Sequence, residues 1–423
     1  MKRFLPGLAL PFQKGKAPDR PVEVFHPAAP LRIPLMLSSA DGARQKAPEL
    51  AEDRPVRAGA VLLEEPDGVP AIANHAGTVA GTVVIEHPQY GEMLCAELHP
   101  AEGEEELLPV TAPAEITAQL VLDAAREAAI YDELDGVCLF DKLTAWQLSR
   151  DDAAALHSVL VADATENDIF GSAAWAALDE HAEEALDGLQ LAAKALRFTR
   201  YHIAAMLPKT KRRALKRTIG REHIFIVGDE YPVTAFAEGR AEVFRIGVQA
   251  CIALSRAVRR GEKSTGIILT VAGSGVKDSR NLWVPYGTDI REILQSCQAF
   301  PDSTVILGDA MNGMAIPDTH TPLLPGTTAL LAIRDYPVRT PRPCIGCGRC
   351  AAVCHAGLLP YEIVRRHENM HYERLQHLAP EECDGCGLCS YVCPSQRDVT
   401  TAVLAAGESG GTMFLDWGGE QDE

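Results

Sequence analysis

Eight cysteines in two short runs are the residues of this chain best suited to chemistry. The first run is Cys344, Cys347, Cys350 and Cys354; the second is Cys383, Cys386, Cys389 and Cys393. Each has the spacing C-x2-C-x2-C-x3-C, and the second ends in Cys393-Pro394 where the first ends in Cys354-His355. Four thiolates in one short stretch match the four irons of a [4Fe–4S] cubane. Gly346, Gly348, Gly385 and Gly387 leave room for the chain to fold closely round such a cluster. Structural zinc sites also use four thiolates, but as separated C-x2-C pairs rather than three ligands in seven residues. A disulfide framework belongs in small secreted domains, and this chain of 423 residues reads as having no signal peptide.

The spacing is that of bacterial two-cluster ferredoxins, in which the fourth cysteine of each run ligates the other cluster. The expected sets are therefore Cys344, Cys347 and Cys350 with Cys393, and Cys383, Cys386 and Cys389 with Cys354. Crossed ligation would hold the two centres close enough for fast electron exchange. His355, where proline is usual, alters the surroundings of one cluster without removing a ligand. Cys95, Cys138, Cys251 and Cys297 lie in apolar contexts and read as buried free thiols. Eight ligand cysteines without an export signal lead us to expect a reducing cytoplasm.

Composition narrows the partners. A formal charge of −18 argues against nucleic acid, which needs a basic surface. With 47% hydrophobic and 23% charged residues the chain is composed like an ordinary globular protein. No apolar stretch approaches the length that crosses a bilayer, so work at a membrane would require another subunit to hold the chain there.

The elements that position the cysteines read as several units: residues 1–100, 115–262, 263–325 and 336–400, with a Gly-rich acidic tail at 407–423 expected to be flexible. In the first, alternating segments at Val56–Glu64 and Thr78–Glu86 are separated by Gly59, Gly68, Gly77 and Gly81. Arg54-Pro55-Val56-Arg57-Ala58-Gly59 and Asn74-His75-Ala76-Gly77-Thr78-Val79 resemble the half-motifs of the barrel-sandwich fold of biotinyl and lipoyl domains. The cofactor-bearing lysine is missing, so a docking or scaffold module is expected. Residues 101–115 read as an acidic linker. Beyond them helices and strands alternate: Leu120–Ala129, Ser158–Ala162, Ala182–Leu196, His202–Leu207, Lys209–Thr218, His223–Val227 and Gly247–Arg259. Such alternation points to a parallel sheet covered by helices. Strands at Gly266–Gly273 and Asn281–Pro285, then a helix from Thr288 with Thr288 as its cap, suit a β-grasp. The whole reads as a multidomain α/β plus β chain.

This order of modules resembles the RnfC family, the peripheral iron–sulfur subunit of the ferredoxin:NAD oxidoreductase. The residues that carry the resemblance are Leu31-Arg32-Ile33-Pro34-Leu35, Val271 through Lys277, Asn281-Leu282, Gly287-Thr288, Cys344 through Cys350 with Gly357-Leu358-Leu359-Pro360, and Cys389 through Ser395. Soluble proteins similar to the family include the cobalamin reductase of propanediol utilisation and the electron-transfer protein associated with proline reductase. The resemblance implies a barrel-sandwich module, a Rossmann-like unit resembling the NADH/FMN domain, a β-grasp and a helical two-[4Fe–4S] ferredoxin domain. It also implies protein redox partners such as a ferredoxin, a flavodoxin or a reductase complex.

Whether the chain is itself an NADH-oxidising enzyme turns on the α/β unit. Family members that oxidise NADH carry a glycine-rich loop whose bare backbone meets FMN phosphate and nicotinamide. Here the stretch is Tyr131-Asp132-Glu133-Leu134-Asp135-Gly136-Val137-Cys138, with one glycine and three carboxylates. Like charges there would repel a flavin phosphate by about 1 kcal/mol each. The family's Tyr-Pro segment with a glycine pair stands as Tyr231-Pro232-Val233-Thr234-Ala235. These departures favour an electron relay over an FMN-dependent NADH oxidoreductase. Glu166 and Asn167, in Asp163 through Asp168, stand where the family's loop touches flavin; a polar strand-to-helix loop is the simpler reading. The basic run Lys209, Lys211, Arg212, Arg213, Lys216 and Arg217 reads first as a solvated helix face and second as a dock for an acidic redox partner. Gly273-Ser274-Gly275 lacks the lysine of a phosphate loop and reads as a turn.

Overall fold

Strand Ser158–Ala164 is buried along its whole length, as befits the middle of a sheet covered on both faces. It belongs to a four-stranded, all-parallel sheet in the order Ile224–Ile226, Tyr201–Ala205, Ser158–Ala164, Glu242–Gly247. The computed structural model describes residues 8–9, 20–35, 50, 52–64, 68–101, 115–149, 158–165, 168–206, 209–228, 230–233, 236, 242–311, 313–334, 340–371 and 374–415.

The helices over this sheet follow from the apolar spacing of the chain. Ala118–Glu127 is capped by Thr117, whose hydroxyl oxygen accepts from the Leu120 amide at 3.2 Å. Helix Ala182–Ala195 buries Ala185, Gly188, Leu189 and Ala192 against helix Val248–Arg260. Gly188 permits that crossing, because a Cβ there would lie 1.8 Å from the Cys251 carbonyl oxygen. Leu160, Leu189, Ile203, Ile246 and Leu254 are fully buried between the layers.

Two further sheets flank this unit. Leu31–Pro34, Gly91–Pro100, Gly77–His87 and Arg54–Val56 form an antiparallel sheet around Leu31, Ile33, Val79 and Leu98. The alternating segment at Val56–Glu64 is split: Gly59 turns at φ +80°, and Val61–Leu63 pairs separately with Ala71–Ile72. The other sheet has six strands in the order Met314–Ile316, Thr304–Leu307, Ala329–Ile333, Gly266–Ala272, Arg280–Pro285, Glu23–Val24. Its helix, Ile290–Ser296, begins one residue later than expected. Asp289 is the cap, its carboxylate accepting from the Arg291 amide at 2.9 Å. The Thr288 hydroxyl instead donates to the Pro285 carbonyl at 2.7 Å, so it is turned away from the helix.

The cysteine runs lie in a fourth unit made of helices. Short helices Arg349–Val353 and Leu388–Tyr391 follow Gly348 and Gly387, both left-handed at φ 72° and 80°. Helices Pro360–Glu368 and Val399–Leu415 pack together over Leu358, Ile363, Val364, Leu375 and Val403. Residues 407–415, expected in a flexible tail, thus continue the last helix. That helix passes the backbone of Pro380 and Glu381 at Gly407, where even a Cβ would sit in ordinary van der Waals contact at 3.4 Å. Residues 416–423 lie outside the described residues.

Candidate metal centre

Two cavities in the helical unit gather the eight cysteines. One is lined by Cys344, Cys347, Cys350 and Cys393, the other by Cys383, Cys386, Cys389 and Cys354. Each takes three cysteines from one run and the fourth from the other. The local backbone explains the exchange. In a continuous helix, residues four apart share a face, which would keep Cys354 with Cys350. Cys354, however, ends helix Arg349–Val353 in an extended conformation at φ −68° and ψ 113°. The chain there leaves the helix and carries its thiol to the second cavity. Cys393 likewise follows the end of helix Leu388–Tyr391 and lines the first.

The surroundings differ between the two. The Gly346 amide donates to Cys344 Sγ at 3.4 Å, and the Thr400 hydroxyl lies 3.1 Å from Cys389 Sγ. Hydrogen bonds to ligand sulfur and burial are the protein's means of setting a cluster's potential. Cys344 and Cys347 are exposed, whereas Cys389 is buried and Cys386 half-buried. As thiols, Cys386 and Cys389 are pushed by burial up to about 12 and about 11, so ligation requires iron's positive charge to displace their protons. His355 Nε2, in the position where proline is usual, lies 2.7 Å from Asp384 Oδ2 at the second cavity. Two sets of four sulfur donors with apolar walls fit two [4Fe–4S] cubanes.

The second cavity abuts the α/β unit. The Tyr231 hydroxyl donates to the Cys386 carbonyl at 2.6 Å, and Tyr231 and Leu388 are buried together with Ile169, Met311 and Val353 against them. Gly387 passes so close to this wall that a Cβ would lie 2.3 Å from the Met311 carbonyl oxygen. Asp168 holds the same wall: its carboxylate accepts from the Phe170, Gly171 and Ala310 amides. The sequence gives no sign of this role for Asp168, and it shows Tyr231 only as part of a motif without its glycines.

The loop at Tyr131–Cys138 is filled by its own carboxylates. Asp132 is fully buried; its Oδ1 accepts from the Gly247 amide at 2.9 Å and the Leu134 amide at 3.0 Å. Lys142 Nζ donates to Asp132 Oδ2 and Asp135 Oδ2, each at 2.6 Å. Glu133 Oε1 and Oε2 accept from the Gln249 and Ala250 amides at 2.6 and 3.0 Å, capping helix Val248–Arg260. Burial pushes the Glu133 carboxyl up and the neighbouring Asp132 pushes it further, while those amides oppose both. The Gly247, Gln249 and Ala250 amides are therefore already occupied, which leaves none of them for an anionic flavin phosphate at this loop. Glu166 and Asn167 lie outside the described residues. Beside them, the buried Asp163 accepts from Thr165 and from Arg245 Nη1 at 3.1 Å. Among the described residues of the basic helix Lys209–Thr218, Lys211 pairs with Asp179 at 2.7 Å.

Comparison with known proteins agrees with the cysteine pattern. Residues 343–397 match the family described as 4Fe-4S dicluster domain. The C subunit of the ion-translocating oxidoreductase complex of Rhodobacter capsulatus is 31% identical over 213 residues, 44% of this chain and 41% of that protein. The protein of the same name from Erwinia tasmaniensis is 27% identical over 235 residues, 49% of this chain and 29% of that one. The C subunit of the proton-translocating ferredoxin:NAD+ oxidoreductase complex of Clostridium ljungdahlii is 27% identical over 192 residues, covering 44% and 40%. The chain thus spans less than half the length of the relatives it matches. Among solved structures, an NAD+-reducing [NiFe]-hydrogenase in its H2-reduced state aligns with a TM-score of 0.42 at 14% identity, over 72% of this chain and 63% of that one. The chain is similar to RnfC-type proteins and carries a [4Fe–4S] dicluster region.

Proposed function

We propose that this chain relays single electrons through two [4Fe–4S] clusters to a partner redox protein. The observation that carries this reading is the pair of cavities, each lined by four cysteines drawn from both runs. Cys344, Cys347, Cys350 and Cys393 hold one cluster, and Cys383, Cys386, Cys389 and Cys354 the other. The clusters, when bound, supply one-electron storage; the chain's residues hold them, screen them from water and set their hydrogen bonding. The antiparallel sheet of residues 31–100 is a barrel-sandwich docking module, the parallel sheet a Rossmann-like unit at 115–262, and residues 263–325 a β-grasp. Residues 336–400 form the ferredoxin-like unit.

The partners are a ferredoxin or the other subunits of a reductase complex, as the names of the relatives suggest, with a flavodoxin as an equivalent one-electron carrier. Among the described residues no helix is long and apolar enough to cross a membrane.

NADH oxidation is the competing reading. A hydride carries two electrons and each cluster takes one, so that route needs a flavin between them. Glu133 and Asp132 on the amides of Gln249, Ala250 and Gly247 oppose it.

The test is iron content and electron paramagnetic resonance of the anaerobically reconstituted chain. About eight irons per chain, with the broadened dithionite-reduced signal of two neighbouring clusters, is the expected result. About four irons, or a redox-silent protein, would reject the relay and leave a scaffold.

A further inference from the structure

We propose that the mouth of the Cys344–Cys347–Cys350–Cys393 cavity is the docking port for an acidic one-electron carrier protein, with the second cavity facing inward. This deepens the relay reading and rests on it. Exposure separates the two ends. Residues 340–347 are all exposed, and Ile345, between the ligands Cys344 and Cys347, is 70% exposed. Cys389 is buried, and Cys386 is covered by the Tyr231–Leu388–Met311 wall. Electron tunnelling falls steeply with distance, so a partner exchanges fastest with the cluster whose ligands reach the surface.

Charge names the partner. Arg349 and Arg397 line the first cavity and no carboxylate does. Arg342 stands two residues before Cys344, its amide donating to the Ser395 carbonyl at 2.9 Å. Arg397 is paired with Glu368, but Arg342 and Arg349 have no ion-pair partner among the described residues. The nearby Asp398 carboxylate accepts from Ser390 and Thr401. In a chain of net charge −18, an acidic carrier is repelled by most of the surface and steered to such a patch. An exposed apolar residue that shares a cavity lining with Arg349 and Arg397 also has the apolar-centre, charged-rim anatomy of a transient interface. The second cavity carries Asp384 at its edge instead. No residue of the basic helix Lys209–Thr218 lines either cavity, which makes it a poorer port.

The experiment uses the full reconstituted chain and an acidic flavodoxin reduced to its hydroquinone, whose oxidation is followed anaerobically by stopped flow. Arg342→Glu with Arg349→Glu is expected to lower the second-order rate at low salt by about tenfold or more and to flatten its dependence on ionic strength. Lys211→Glu with Arg213→Glu is expected to leave both unchanged. The extent of dithionite bleaching should be equal in all three proteins, which excludes cluster loss as the cause. Wild-type kinetics in the first variant, or slowing in the second alone, would overturn the port. Wild-type protein without dithionite-bleachable clusters would reject the relay itself, and the port with it.

Discussion

Serine in place of Cys393 is expected to remove the same cluster as serine in place of Cys344, although 49 residues separate the two in the chain. Both line the first cavity, and Cys393 is set apart from the cysteines of its own run. The consequence is a pattern of non-additivity. Cys344→Ser and Cys393→Ser should each leave about four of about eight irons, and the double variant should still hold about four. Cys344→Ser with Cys354→Ser should instead strip nearly all iron, because each change disables a different cluster. Iron and sulfide assays after anaerobic reconstitution check this. The opposite pattern, with Cys344→Ser and Cys354→Ser sharing one cluster, would mean that each run closes on itself.

Asp132→Ala is expected to destabilise the α/β unit by about 1–3 kcal/mol, the usual cost of leaving a buried polar group unsatisfied, while Lys142 keeps Asp135 as its partner. Asp132 is fully buried, and the Lys142 side chain facing it at 2.6 Å is only 16% exposed. Removing the carboxylate also leaves the buried Gly247 amide without its acceptor. Asp132→Asn retains an acceptor for that amide and should cost less than Asp132→Ala. Urea unfolding followed by tryptophan fluorescence reports on the right unit, because Trp146 and Trp175 pack against its core. A loss below about 1 kcal/mol for Asp132→Ala would place the loop among solvated surface segments. It would then be open to a flavin phosphate after all.

The cluster cysteines are legible because their chemistry is written in local spacing. So is the alternation of helix and strand: Lys209–Thr218 has the bounds read from sequence, and the expected strand at Ser158–Ala162 extends only to Ala164. The difficulties come from competition between neighbours and from contacts distant in sequence. Thr288 and Asp289 are both good caps, and only the Thr288 hydrogen bond to Pro285 decides for Asp289. The Gly-rich composition after Gly407 reads as a tail, yet the chain continues as helix to Leu415. The three carboxylates at Asp132–Asp135 read from sequence as a repulsive cluster. Two of them, Asp132 and Glu133, go to the amides of Gly247, Gln249 and Ala250, more than a hundred residues away, which follows only from the fold. Asp135 stays on the Val137 amide and Lys142. The Tyr231 contact with Cys386 is of the same kind.

A repulsive loop and a loop that supplies its own anion predict the same cofactor content, and the second explains how the chain tolerates burying the charges. The backbone donors that would hold a phosphate serve as caps and clamps for the helix Val248–Arg260. The unit presents Tyr231 to the second cavity through its hydrogen bond to the Cys386 carbonyl. On the relay we propose, electrons enter one at a time from another protein.

The most direct test of that claim is made on anaerobically purified protein: flavin fluorescence after denaturation, together with bleaching of the cluster absorbance by NADH and by dithionite. The account predicts no flavin, bleaching by dithionite and none by NADH. Stoichiometric FMN with bleaching by NADH would contradict it and make the chain an NADH-oxidising enzyme.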